Sequence, residues 1–236
     1  MTNSIAAIPL SSLVLILIPV ALVIWIQFKW SLDYKEGLYA VSRMLGQLLI
    51  VGYFLGYIFN AEKSWIIVLV LSVMILSSSW IALRTIKTRR LELYRYVFIS
   101  LFLSGSLTLL FVSQGVLNFE PWFNPQYIIP LGGMIFSNSI NNISLAAERY
   151  FEEIGRDVPI DKAKKIAYRT SMIPTTNSLF AVGLVSLPGM MTGQILSGVD
   201  PLIAVRYQIM VMAMLYAAGG LSGAMFLHLV SKKQAL

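Results

Sequence analysis

The sequence predicts an all-α polytopic membrane protein with about seven transmembrane helices, on three observations. Hydrophobic residues make up 57% of the chain and charged residues only 12%, and mean hydropathy is +0.75, more apolar surface than one soluble core can bury. Several apolar stretches reach the roughly 20 helical residues that a hydrocarbon core requires. Basic residues alternate between loops rich in them and loops nearly bare of them, as topology under the positive-inside rule demands.

The spans are read in order as 8–28, 38–59, 64–83, 97–117, 127–147, 172 to about 187, and 205–229. The first is kept as a helix because its first charge, Lys29, follows the apolar run, whereas a secretory signal places basic residues before it. Lys29, Lys35 and Arg43 fall after the first span, Arg84 to Arg95 after the third, Arg149 to Arg169 after the fifth, and Lys232 and Lys233 after the seventh. The opposite loops hold only Lys63 and Arg206. The expected topology is therefore an outer N-terminus and a cytoplasmic C-terminus in the cell membrane. The net charge of +7 sets topology and meets anionic headgroups of the lipid bilayer, and no nucleic-acid partner is expected. One transmembrane domain, 1–236, is expected, with its largest hydrophilic piece, 148–169, as a cytoplasmic loop and candidate coupling segment. The aromatic 118–126 loop is read as an interfacial belt.

Some chemistry is missing. The chain has no G-x-x-x-x-G-K-[ST] phosphate loop and no cysteine, so P-loop ATP hydrolysis and thiolate metal sites are excluded. No Asp or Glu lies well inside a span, which weighs against a proton-coupled carrier. His228 is alone near the end of the last span, no catalytic cluster can be assembled, and an enzyme is not expected.

Polar residues inside the spans carry the rest. Asn138, Asn141 and Asn142 have i, i+3, i+4 spacing, which predicts one helical face. Thr175, Thr176 and Asn177 follow Pro174 in the sixth span, Thr192 and Gln194 come later, and Arg206, Tyr207 and Gln208 open the seventh. Interhelical hydrogen bonding accounts for any single amide, but the group predicts a polar seam within the bundle. Met190, Met191, Met210, Met212 and Met214 could serve soft metals, although flexible packing is the simpler reading. Gly52/Gly56, Gly189/Gly193 and Gly219/Gly223 have the spacing of close helix contacts. In "SLPGMMTGQILSG", 186–198, Pro188 and Gly189 should break the sixth span within the membrane. Non-helical backbone at that depth has to line protein or a cavity.

The stretch "NSLFAVGLVSLPGMMTGQILSGVDPLIAVRYQIMVM", with "SNSINNISLAAERY" and "IPTTNS" upstream, closely resembles the signature region of the FetB-like family of ABC-transporter permeases. The likeness is strong from about Gly132 onward and mainly hydropathic before it. It implies a permease subunit, homodimeric in the family's usual two-plus-two assembly, working with a separate ABC ATP-binding subunit that carries ATP and Mg, with no cofactor on this chain. Bacterial members are linked to iron export, and plant relatives to aluminium tolerance with a nucleotide-sugar cargo suggested. Here the stretch between E-R-x-x-x-E and the sixth-span entry is shorter than the family pattern.

Under this reading Asn138, Asn141, Asn142, Asn177, Gln194 and Gln208 line the translocation path. Pro188, Gly189, Met190, Met191, Thr192 and Gly193 shape an outer gate braced by Arg206 and Tyr207, with Asp200 as a partner for Arg206. Glu148, Arg149, Glu152, Glu153, Asp157 and Lys164 are the expected ATPase-coupling residues, and no metal ligand set is assigned. The competing readings are an ATPase-independent secondary carrier or channel, an ABC permease for a non-metal solute such as a nucleotide sugar, and a non-transporting scaffold.

Overall fold

The computed structural model describes residues 9–59, 63–86 and 88–234. The described residues are helical apart from connecting turns and one isolated bridge, Val182 to Ser186. Ile8, the expected start of the first span, and Lys87 lie outside them. The chain divides into two compact units, Met1–Asn60 and Ala61–Leu236.

The first unit holds α1 (Leu10–Leu15), α2 (Leu17–Lys29) and α3 (Tyr34–Phe59). Pro19 has no N–H to offer the Leu15 carbonyl, and its ring crowds that turn, so the first predicted span is interrupted at Ile16. Asp33 Oδ1 accepts the Glu36 N–H at 3.3 Å as the chain enters α3. Neither α2 nor α3 buries a residue. Helices that are apolar around most of their surface yet unburied have the character of lipid-facing spans.

The second unit holds α4 (Ser64–Ala82), α5 (Arg90–Leu110) with a π-helical turn at Phe111–Val116, α6 (Pro125–Gly155), α7 (Ile160–Ala181), α8 (Gly189–Leu196) and α9 (Pro201–Gln234). The long α6 is central, packing on α4, α5, α7 and α9. Ile67, Leu101, Ile135, Ile143, Tyr150 and Phe226 form the buried middle. A Cβ on Gly105 would come 2.6 Å from the Phe136 ring, so the glycine is what lets α5 approach α6. Ser100, Ser104 and Thr108 bond back to carbonyls four residues earlier, at 2.7, 2.5 and 2.8 Å, which hides their hydroxyls on a buried face.

Among the described residues, five helical stretches are long and apolar enough to cross a membrane: Ser11–Lys29, Tyr34–Phe59, Ser64–Ala82, Arg90–Val116 and Pro201–Lys233. They match the first four expected spans and the seventh. The protein is thus an all-α, multi-pass membrane protein. The expected fifth and sixth spans fall in α6 and α7, which carry the amides and run on into charged residues. Two expectations change here. The hydrophilic piece 148–169 is helical except around a short turn, because α6 runs to Gly155 and α7 already starts at Ile160. The sixth span ends at Ala181, not near Leu187: Val182 is extended, and Gly183, at φ +84°, turns the chain away.

Gly105→Ala is expected to cost about 1–3 kcal/mol by overpacking against Phe136, seen as a lower unfolding midpoint in detergent. Gly115→Ala, whose Cβ would meet nothing nearer than 3.9 Å, should leave the midpoint almost unchanged.

Candidate functional site

The amides meet where α6, α7 and α9 converge. Asn138 Nδ2 donates to the Leu215 carbonyl of α9 at 2.7 Å. Asn142 Nδ2 donates to Asn138 O at 3.1 Å and to Thr175 Oγ1 of α7 at 3.2 Å, and the Thr175 hydroxyl reaches Asn138 Oδ1 at 3.4 Å. Asn142 is 1% exposed. A Cβ on Gly219 would lie 2.7 Å from Asn138 Nδ2 and closer still to Asn142 Nδ2, so only glycine lets α9 pass the two amides at this distance. Gly223 faces Ser171 across the same contact, while nothing approaches Gly52, Gly56, Gly189 or Gly193 within 4 Å.

The structure divides the expected seam. Successive residues turn by about 100°, so Asn142 lies about 40° to one side of Asn138 and Asn141 about 60° to the other. Asn141 is accordingly exposed, as are Ser137, Asn177 and Ser178. The two serines bond back to Met134 O at 3.1 Å and Pro174 O at 3.0 Å.

The break beyond α7 surrounds a second feature. Val185 and Ser186 return their N–H groups to the Ala181 carbonyl at 2.8 and 3.1 Å. Pro188 caps the start of α8, so it opens a helix where the sequence suggested that it ends one. This follows from its missing N–H, which the first helical turn does not need. Val182, Gly183, Leu187 and Met191 wall a cavity of about 490 Å³ against Gln208 and Met212 of α9. Gln208 is 5% exposed, and its Oε1, like that of Gln194, is buried without a hydrogen-bond partner. Met190 is exposed, Thr192 bonds back to Pro188 O at 3.2 Å, and Tyr207 is half-buried. Gly198, at φ +89°, closes α8 with its N–H on Ile195 O and the Val199 N–H on Gln194 O, both 3.0 Å, the Schellman pattern that favours glycine.

Asp200 does not serve Arg206 as expected. Its Oδ1 accepts the Leu202 N–H at 2.8 Å and caps α9, and Asp-Pro at a helix start is a sequence signal for that role. Arg206 instead lines a groove with Phe111 and Val116. The same π-helical turn holds Gln114, whose Nε2 is buried and unpartnered, a residue that the sequence did not single out.

The expected coupling residues surround the α6–α7 turn. Arg149 reaches Glu152 at 2.9 Å and Glu153 at 2.5 Å, and Arg156 reaches Glu152 at 2.5 Å. Glu153 is buried, Glu148 and Asp157 are exposed, and Lys164 lies 3.7 Å from Asp161. Asp157 takes the left-handed conformation, φ 59°, with its N–H on Ile154 O and the Val158 N–H on Glu153 O. A second Schellman cap therefore makes the turn short. Among the described residues no three His, Cys, Asp or Glu side chains gather to hold a metal ion.

Residues 10–159 and 155–234 match the pattern described as Uncharacterised protein family (UPF0014). The chain belongs to the UPF0014 family. The two matched pieces meet at the α6–α7 turn, where the sequence reads as shortened. The probable iron export permease protein FetB of Escherichia coli is 32% identical, over 94% of this chain and 90% of its own. The Arabidopsis thaliana protein ALUMINUM SENSITIVE 3 is 31% identical, over 91% and 81%. The UPF0014 membrane protein slr1647 of Synechocystis is 36% identical, over 78% and 77%. No solved structure matches the chain. The UPF0014 likeness is thus to a family that includes a permease, and it fits a transport role without catalysis.

Thr175→Val keeps the shape of the α6–α7 contact and removes its hydroxyl. The expected cost is about 0.6–1.7 kcal/mol. Adding Asn138→Leu should cost less in that variant than in the parent protein, as a double-mutant cycle in detergent unfolding would read.

Proposed function

We propose that this chain is the permease subunit of an ABC transporter that exports iron or another metal ion while a separate subunit hydrolyses ATP. The likeness to the probable iron export permease FetB supports the cargo class. The observation that carries the transport reading is the exposure of polar side chains on two helices that pack together, Ser137 and Asn141 on α6 and Asn177 and Ser178 on α7. Amides facing hydrocarbon are unfavourable, so these groups have to meet protein or water. A second copy placed against them gives a path between two subunits lined by amide and hydroxyl oxygens, which can stand in for part of an ion's hydration shell. Asn138, Asn142 and Thr175 hold together the two helices that carry them.

In this reading α6 and α7 supply the fifth and sixth crossings, the N-terminus is outside and the basic end is cytoplasmic. The α8 segment is the outer gate, with Met191 and Gln208 lining the cavity beside it and the buried, unpartnered Gln194 Oε1 on the segment itself. The tip of the α6–α7 hairpin docks the ATPase through Glu148, Glu152, Asp157 and Lys164, with Arg149 and Glu153 holding its shape.

Mild-detergent purification of the tagged chain from its own host tests the class. An ATP-binding chain and ATP hydrolysis should co-purify; a solitary chain without hydrolysis in every detergent rejects the reading. Asn141→Leu with Asn177→Leu should lower metal efflux about tenfold or more, the effect of losing roughly 1.4 kcal/mol at the path, while expression and elution volume are kept. Unchanged efflux would remove the exposed amides from the path.

A further inference from the structure

A pocket of about 400 Å³ opens between the start of α7 and the end of α9, lined by Lys164, Lys165, Tyr168, Ala224, Leu227 and His228. Its lining mixes polar and apolar groups. Two ammonium groups, a phenol hydroxyl and an imidazole are all able to donate hydrogen bonds, while Ala224 and Leu227 provide carbon. Tyr168 is set against α9 because Gly220 has no side chain: a Cβ there would lie 3.2 Å from the Tyr168 hydroxyl. Among the described residues Lys164 lies 3.7 Å from the carboxylate of Asp161, whose side chain is 89% exposed. A pair so open to water is screened and weak. Lys165 has no ion pair among the described residues, and Lys232 follows His228 by one helical turn on α9.

We propose that this pocket binds a phosphate-bearing anion, supplied in the membrane by the headgroup of an anionic phospholipid. Phosphate oxygens accept from the lysines, the tyrosine and the histidine, and the carbon lining takes the glycerol and the first acyl carbons. That lining matters because a small soluble phosphate would engage the polar groups alone. A choline headgroup brings a cation that Lys164 and Lys165 repel, so the site discriminates by net headgroup charge. The pocket also lies where an apolar helix gives way to basic residues, which is the level at which lipid phosphates sit. The site shares Lys164 with the proposed ATPase-docking surface, but lipid retention can be read without cargo, ATP or a partner chain.

The test is native mass spectrometry of the full chain in neutral detergent, titrated with palmitoyl-oleoyl phosphatidylglycerol and, separately, palmitoyl-oleoyl phosphatidylcholine. The expected result is preferential binding of phosphatidylglycerol, weakened about 30-fold in Lys164→Gln/Lys165→Gln, from about fivefold per lysine near a membrane surface. Lys164→Arg/Lys165→Arg should restore most of it, and Ala224→Trp, which puts an indole into the pocket's lining, should weaken it with both lysines present. Equal retention of the two lipids, or full phosphatidylglycerol binding by the Gln variant, overturns the proposal. Glycerol 1-phosphate titrated against the bound lipid distinguishes the sources. Displacement at equal concentration keeps the phosphate site but overturns the lipid as its source; no displacement supports the lipid. A Gln variant that sheds a co-purifying ATP-binding chain while keeping its lipid assigns the lysines to partner docking and also overturns the proposal.

Discussion

The second unit depends on one close approach, the passage of α9 over Asn138 and Asn142 with only Gly219 between them. Any side chain at Gly219 would occupy the space that the two amides fill. The amides in turn need this approach, because Asn138 finds its acceptor on the α9 backbone at Leu215. Hydrogen bonds between membrane helices average only about 0.6 kcal/mol, so their main effect here is to define position. A slide of α9 by one residue would leave an amide unpaired in a medium where no water can replace its partner. Through Thr175 the same junction holds α7, so three helices share one register.

This arrangement gives the polar residues two separate physical situations. Asn138, Asn142 and Thr175 are largely occupied with one another. Asn141 and Asn177 are exposed, and the buried Oε1 atoms of Gln194 and Gln208 lack hydrogen-bond partners. In the proposed transport reading a path for cargo is better served by the second group, because a ligand atom already committed to a helix contact is costly to withdraw. The buried Asn142 Oδ1, which also has no partner, is the point where the two groups come closest in character.

Much of the fold was legible in the sequence because length and hydropathy decide whether a helix can cross a bilayer. What was not legible depended on backbone detail. The stretch 182–187 reads as a continuing span because Val182, Leu184, Val185 and Leu187 are apolar, yet the left-handed turn at Gly183 decides otherwise. Spacing alone put Asn141 beside Asn138, since a stripe about 100° wide counts as one face; which edge of that stripe is buried depends on where α7 and α9 lie. The Asp200–Arg206 pair was expected from proximity along the chain, but the Asp-Pro capping signal was the stronger evidence. Gln114 was missed because a π-helical turn leaves little trace in composition.

The two ends of the second unit are built to respond differently to a load. At the basic end, Lys233 pairs with Glu92, Glu92 with Arg89 at 3.2 Å, and Arg89 lies 4.7 Å from the centre of the Phe151 ring. This joins the start of α5 to the ends of α6 and α9. At the other end α8 buries no residue, Leu184 and Val185 are 91% and 84% exposed, and a cavity separates the segment from α9. Local opening is easiest where few apolar contacts are lost. In the proposed transport reading a push on the α6–α7 hairpin therefore moves the ion-paired end as one body and is absorbed as motion in the weakly held α8 segment. The amide junction lies between them as the fixed point, so a change at one end can reach the other without a break in the helices that connect them.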